Sequence, residues 1–198
     1  MDAMNTEPFT HLPYLWHNVP ASMDGNLLWP LKALHEIKPE LAARYQAKYK
    51  GREHIAQLHV PVLDCLWDEV IFLSPIHPQL FNRAMHEAGH KVFSREVFQF
   101  KADVLENHEA VWFDPVQSGK DGALLPASIR PFDPRTYHSR SVSKYALPYY
   151  QRCAVEGRQP LIWGRDLHVI VRGYTRDGKT NPIDVRHAET IITEIPSS

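Results

Sequence analysis

Val97-Phe98-Gln99-Phe100-Lys101-Ala102-Asp103-Val104 alternates apolar and polar side chains almost without a break. Side chains on a strand point to opposite faces with a period of two. The stretch therefore predicts a half-buried strand, dry on one face and wet on the other, as antiparallel sheets have. Neighbouring segments read the same way. Ala110 to Phe113 is a second short strand, and Glu69-Val70-Ile71-Phe72-Leu73-Ser74 is a near-continuous apolar run that suits a central strand. Pro13-Tyr14-Leu15-Trp16-His17-Asn18 is an early strand with a polar pair at its exit, and Pro160–Trp163, Leu167–Tyr174 and Ala188–Ile195 close the chain as three more.

Helical signals lie mostly upstream. Leu31 to Tyr49 has helical spacing that Pro39 divides in two, with Gly51 as a stop signal. Pro78 is a good first residue for a helix over 78–90, whose apolar face is Leu80, Ala84, Met85 and Ala88. A helix from Ser141 to Cys153 is expected to be disturbed by Pro148. Met23-Asp24-Gly25-Asn26 and Thr175 to Lys179 read as turns, and 116–138 as a long loop. The sum predicts a single α+β domain over 1–198, with a mixed or antiparallel central sheet and helices mainly in the N-terminal half.

Composition narrows the class. The 198 residues are 43% hydrophobic and 23% charged with a net charge of −1, enough to bury a core and without an overall basic footprint. No stretch nears the ~18 consecutive apolar residues of a membrane span, so no membrane partner is expected. The N-terminal segment is acidic where a signal peptide is basic and then apolar, which points to the cytoplasm. Cys65 and Cys153 are too few and too distant for a disulfide framework.

Two motifs carry chemistry. His86-Glu87-Ala88-Gly89-His90 matches the H-E-x-x-H pattern of zinc peptidases, in which two histidines one helical turn apart bind the metal. Its context argues against that use. Gly89 sits inside the motif, the apolar face of the helix points away from His86 and His90, and the nearest candidates for a third ligand, Glu106, His108 and Glu109, fall in a loop between strands. A zinc metallopeptidase using these histidines stays an alternative, and a non-catalytic protein-binding domain is another. The second motif is His187-Ala188-Glu189-Thr190-Ile191-Ile192-Thr193-Glu194-Ile195, a late strand that places Glu189 on the same face as Ile191, Thr193 and Ile195. A carboxylate on such a face is expected to be paired, pKa-shifted or functional.

The order of these segments resembles the ADP-ribosyltransferase superfamily, its DarT-like and RNA phosphotransferase-like branches in particular. Leu15-Trp16-His17-Asn18 is similar to the family's first strand, Val70 to Pro75 to its central strand, and Ala188 to Ile192 to the strand of its catalytic glutamate. The resemblance implies an ADP-ribosyltransferase-like fold and an enzyme that takes NAD as substrate. Cleaving the nicotinamide–ribose bond builds positive charge on the sugar, which a carboxylate stabilises. That role falls to Glu189. His17, with Asn18, would hydrogen-bond the ribose or the nicotinamide amide, Arg52 would fork the pyrophosphate, and Ser74 would orient Glu189 or the ribose. Trp16 stands where the family has Tyr, and the tyrosine that stacks on nicotinamide has no clear counterpart, Phe81 and Tyr45 being substitutes. Tyr137 to Tyr145 interleaves aromatics with cations, and Arg165-Asp166-Leu167-His168 and Arg172 add charge, so nucleic acid is the favoured macromolecular acceptor. A toxin or defence role, with an antitoxin-like protein partner, fits the same resemblance.

Overall fold

The computed structural model describes residues 7–21, 23, 25–119, 123–161 and 165–195. In chain order its elements are β1 (Tyr14–Asn18), β2 (Leu27–Leu28), α1 (Leu31–Ile37), α2 (Pro39–Gln46), β3 (His59–Val60), β4 (Cys65–Leu66) and β5 (Val70–Leu73). There follow α3 (Pro78–Glu87), β6 (Glu96–Lys101), β7 (Ala110–Phe113), β8 (Ile129–Pro131), α4 (Ala146–Val155), β9 (His168–Arg172), β10 (Ile183–Asp184) and β11 (Glu189–Ile192). The α+β class holds, and three of the four α-helices among the described residues precede β6.

The expected central sheet is two sheets. One has the order β1-β6-β11 and the other β5-β9-β7-β8, and every ladder in them is antiparallel. Among the described residues a single bridge joins them: Trp16 and Ser74 exchange both backbone hydrogen bonds, at 3.0 and 2.8 Å. Two-stranded ladders, β2 with β10 and β3 with β4, fill the margins.

Several predicted boundaries move for local reasons. The alternating strand ends at Lys101, where residues 102–105 tighten into a 3-10 turn that buries Ala102 and Leu105. Pro148 disturbs nothing, because it falls in the first turn of α4, where its missing N–H would have had no helical partner. Helix α3 stops at Glu87: Gly89 takes φ +84°, its N–H donates to the His86 carbonyl, and the N–H of His90 donates to the Met85 carbonyl. This paired closure is the usual way a glycine ends a helix. Pro160 and Leu161 are not in a strand, while Asp24 and residues 162–164 lie outside the described residues.

The main core lies on the faces of β1, β5 and β9 that carry Leu15, Ile71, Leu73, Val169 and Val171. A second cluster, with Val70, Val111, Phe113 and Ile170, lies on the opposite face of the four-stranded sheet. Gly173 sits where chain segments meet most tightly. A Cβ there would come within 2.6 Å of Pro30 and 2.8 Å of the Glu69 carbonyl. Gly173→Ala is expected to cost at least about 1–3 kcal/mol through overpacking, read as a lower denaturation midpoint with unchanged slope. A variant as stable as the parent would show that the contact yields freely.

Candidate functional site

The bridge between the sheets is one residue pair long. Continued, the ladder would set Asn18 opposite Phe72; instead the strands part, and both residues line a cleft. The cleft has two chambers, of about 630 and 750 Å³. Asn18, Lys48, Trp67, Phe72 and His168 line both and so form the waist between them. The first chamber runs under α1 and α2, with walls from Trp29, Leu34, Leu41 and Tyr45. The second opens past Arg52, Phe113 and Arg165.

His17 reaches the first chamber from β1. Its Nδ1 lies 2.6 Å from the Asn18 carbonyl, and because a carbonyl only accepts, Nδ1 carries the proton and Nε2 does not. Burial, with Lys48 adding to it, lowers the imidazole to about 4, so His17 is neutral near pH 7. His168 repeats this design from β9. Its Nδ1 donates to the Asp166 carbonyl at 2.8 Å, its ring meets Phe72 and Phe113, and burial lowers it to about 4.

All charged lining residues among those described are cationic. Lys38 and Lys48 line the first chamber, Lys48, Arg52 and Arg165 the second, and among the described residues neither lining contains Asp or Glu. None of Lys48, Arg52 or Arg165 pairs with a carboxylate among the described residues. Lys48 lies over the Tyr45 ring, 4.5 Å from its centre, and partial burial lowers its pKa. Such a site favours anions joined to planar rings.

Of the residues singled out in the sequence, the cleft gathers His17, Asn18 and Arg52. Glu189 is elsewhere. It is exposed on the edge strand β11, in register with Gln99 and, beyond it, Trp16, and it accepts a hydrogen bond from Gln99 Nε2 at 3.2 Å. His17 is in register with Phe98, one residue along, and so projects from the other face of the sheet. The expectation that Glu189 and His17 share a site is therefore corrected. Glu189→Gln should leave any activity of the cleft within about twofold; a collapse of activity in that variant would restore the carboxylate.

Ser74 is corrected too. It is buried, and its hydroxyl donates to the Ile76 carbonyl and accepts from the Ile76 N–H, a local turn that leaves nothing for Glu189 or a ribose. His86 is exposed, while His90 lies beyond the helix end with Nε2 donating to the Tyr150 carbonyl at 2.8 Å. The one-turn pairing that zinc requires is not formed, and among the described residues no group of three or more His, Cys, Asp or Glu could hold a metal. Phe81 is buried away from the cleft, whereas Tyr45 lines it. Tyr137, whose hydroxyl donates to the Tyr14 carbonyl, belongs to the core. Arg172 pairs with Glu109 at 3.6 Å, outside the cleft. Phe72, Lys48 and the placement of His168 were not foreseen; the one available signal was that His168 opens an apolar run as His17 closes one.

Three partly buried histidines, His17, His77 and His168, are lowered to about 4 by burial. The unfolded chain takes up these protons near pH 6.5, so stability is full above that value and falls as pH drops from 6.5 toward 4. Asp166, raised to about 6 by burial, works oppositely between about 6 and 4 but is one group against three. The melting temperature should fall steadily from pH 7 to about 4.5; a flat or rising profile would contradict these environments.

No protein-family model matches the chain, and no curated protein or solved structure matches it. No helix among the described residues is long and apolar enough to cross a membrane.

Proposed function

We propose that the protein is an ADP-ribosyltransferase that binds NAD in the cleft where β1 and β5 part, and transfers ADP-ribose to a macromolecular acceptor. The observation that supports this reading is the composition of the cleft: two neutral imidazoles, aromatic rings, and the cations Lys48, Arg52 and Arg165, with no carboxylate among the described lining residues. NAD offers what such a surface recognises, two planar rings joined through ribose by an anionic pyrophosphate. Lys48 and Arg52 take the pyrophosphate, Arg52 as a fork. Tyr45, Trp67 and Phe72 supply ring faces for the bases. Nε2 of His17, being unprotonated, accepts from a ribose hydroxyl.

Positive charge that develops on the ribose as nicotinamide departs meets aromatic faces in place of a carboxylate, and an aromatic face attracts a cation held over it. The second chamber, with Arg52 and Arg165 at an apolar wall, favours an anionic acceptor such as nucleic acid. Because Trp29 and Trp67 line the first chamber, NAD binding should change tryptophan emission. Titration of the wild type should give saturable quenching, weakened roughly tenfold or more in Phe72→Ala. Emission in folded protein that does not respond to NAD would overturn the reading.

A further inference from the structure

We infer that the first chamber is an adenosine subsite that binds ADP by itself, so that ADP and the product ADP-ribose compete with NAD. This rests on the reading of the cleft as an NAD site, and it fixes the direction in which the dinucleotide lies. The pyrophosphate is the middle of NAD. Lys48 lines both chambers, with its ammonium over the Tyr45 ring, and Arg52 stands beside it, donating from Nη2 to the Lys48 carbonyl at 3.1 Å. A pyrophosphate held by this pair at the waist leaves one nucleoside on each side of it.

The ribose that loses nicotinamide must face the second chamber, where the acceptor enters past Arg52, Phe113 and Arg165. The adenosine half then falls in the first chamber, and the residues there suit it. Under α1 and α2 the wall is Trp29, Leu34, Leu41 and Tyr45, packed as one apolar cluster. A neutral purine covers such a wall by stacking and by burial. Asn18 and Asn26 line the same chamber, and an asparagine amide pairs with both N6 and N7 of adenine. His17 completes the subsite: Nδ1 is committed to the Asn18 carbonyl at 2.6 Å, so Nε2 accepts from the adenosine ribose. At about 630 Å³ the chamber falls within the ~300–1,000 Å³ usual for small-molecule sites.

The experiment titrates the full chain with ADP and with NAD by calorimetry. Two exposed positions allow each chamber to be filled separately: Ile37, 45% exposed, lines the first, and Leu161, 56% exposed, lines the second. Ile37→Trp should weaken ADP and NAD alike, roughly tenfold or more, whereas Leu161→Trp should leave ADP within about threefold and weaken NAD alone. In the wild type ADP should displace NAD. Its effect on tryptophan emission should largely vanish in Trp29→Phe, because Trp29 lines the first chamber and not the second. ADP binding that Leu161→Trp weakens and Ile37→Trp spares overturns the inference, since the dinucleotide would then lie the other way. So does ADP binding that both fillings weaken or neither does, an ADP response that persists in Trp29→Phe, or a wild type that binds NAD and not ADP. A wild type that binds no NAD overturns the underlying reading instead, and the NAD titration tells the two failures apart.

Discussion

Trp16→Ala is expected to cost about 3–5 kcal/mol, a large part of the ~5–15 kcal/mol that holds a domain folded. The side chain is 1% exposed, and its indole N–H donates to Gln99 Oε1 at 3.0 Å. The ring meets His77 edge-on at 5.2 Å, and the backbone of the same residue makes the one bridge between the two sheets. Truncation leaves a cavity and a half-buried amide oxygen without its donor, beside the seam that also opens the cleft. A melting temperature lower by roughly 6–20 °C is expected for a chain of this size. Trp16→Phe, which keeps most of the ring and loses only the N–H, should recover more than half of that loss. Equal loss in both would assign the effect to the hydrogen bond; no loss in either would mean that the seam does not depend on this side chain.

The second large effect is electrostatic. Reversing Lys48 and Arg52 to Glu places two negative charges where the proposed pyrophosphate lies. At separations of about 4 Å, each reversal exchanges an attraction of roughly 1–4 kcal/mol for a repulsion of the same size, between the water limit and the near-surface limit. Together they should weaken NAD binding at least 100-fold. The wild-type affinity should also fall with added salt, and the double variant should lose most of that dependence. Both positions are exposed, so the melting temperature should move by less than about 3 °C. An unchanged affinity would remove the pyrophosphate from this wall of the cleft.

The fold was legible where a local pattern was sufficient. Alternation marked β6, the apolar run marked β5, and Pro39 and Pro78 marked the starts of α2 and α3. What escaped was set by long-range pairing. Nothing local to Val70–Leu73 says that its partner is β9, or that β1 touches it through a single residue pair. That one bridge decides which side chains share the cleft: His17 reaches it, while Glu189, two strands away and on the other face, does not. The glutamate was conspicuous because it heads a β-branched run, yet an edge strand tolerates a solvated carboxylate at no cost. Phe72 was hidden by its apolar surroundings, since a ring in an apolar run has no signature that separates core from cleft. His168 was visible only as charge beside Arg165 and Asp166.

The most direct test of the central claim is nicotinamide release from NAD by the wild type, Glu189→Gln and the Lys48→Glu/Arg52→Glu pair, compared in one assay on folded protein. Release by the wild type is expected, with the same rate within about twofold for Glu189→Gln and release near background for the double reversal. Activity that disappears with Glu189 and survives reversal of the two cations would contradict the cleft, and so would a folded wild type that releases none.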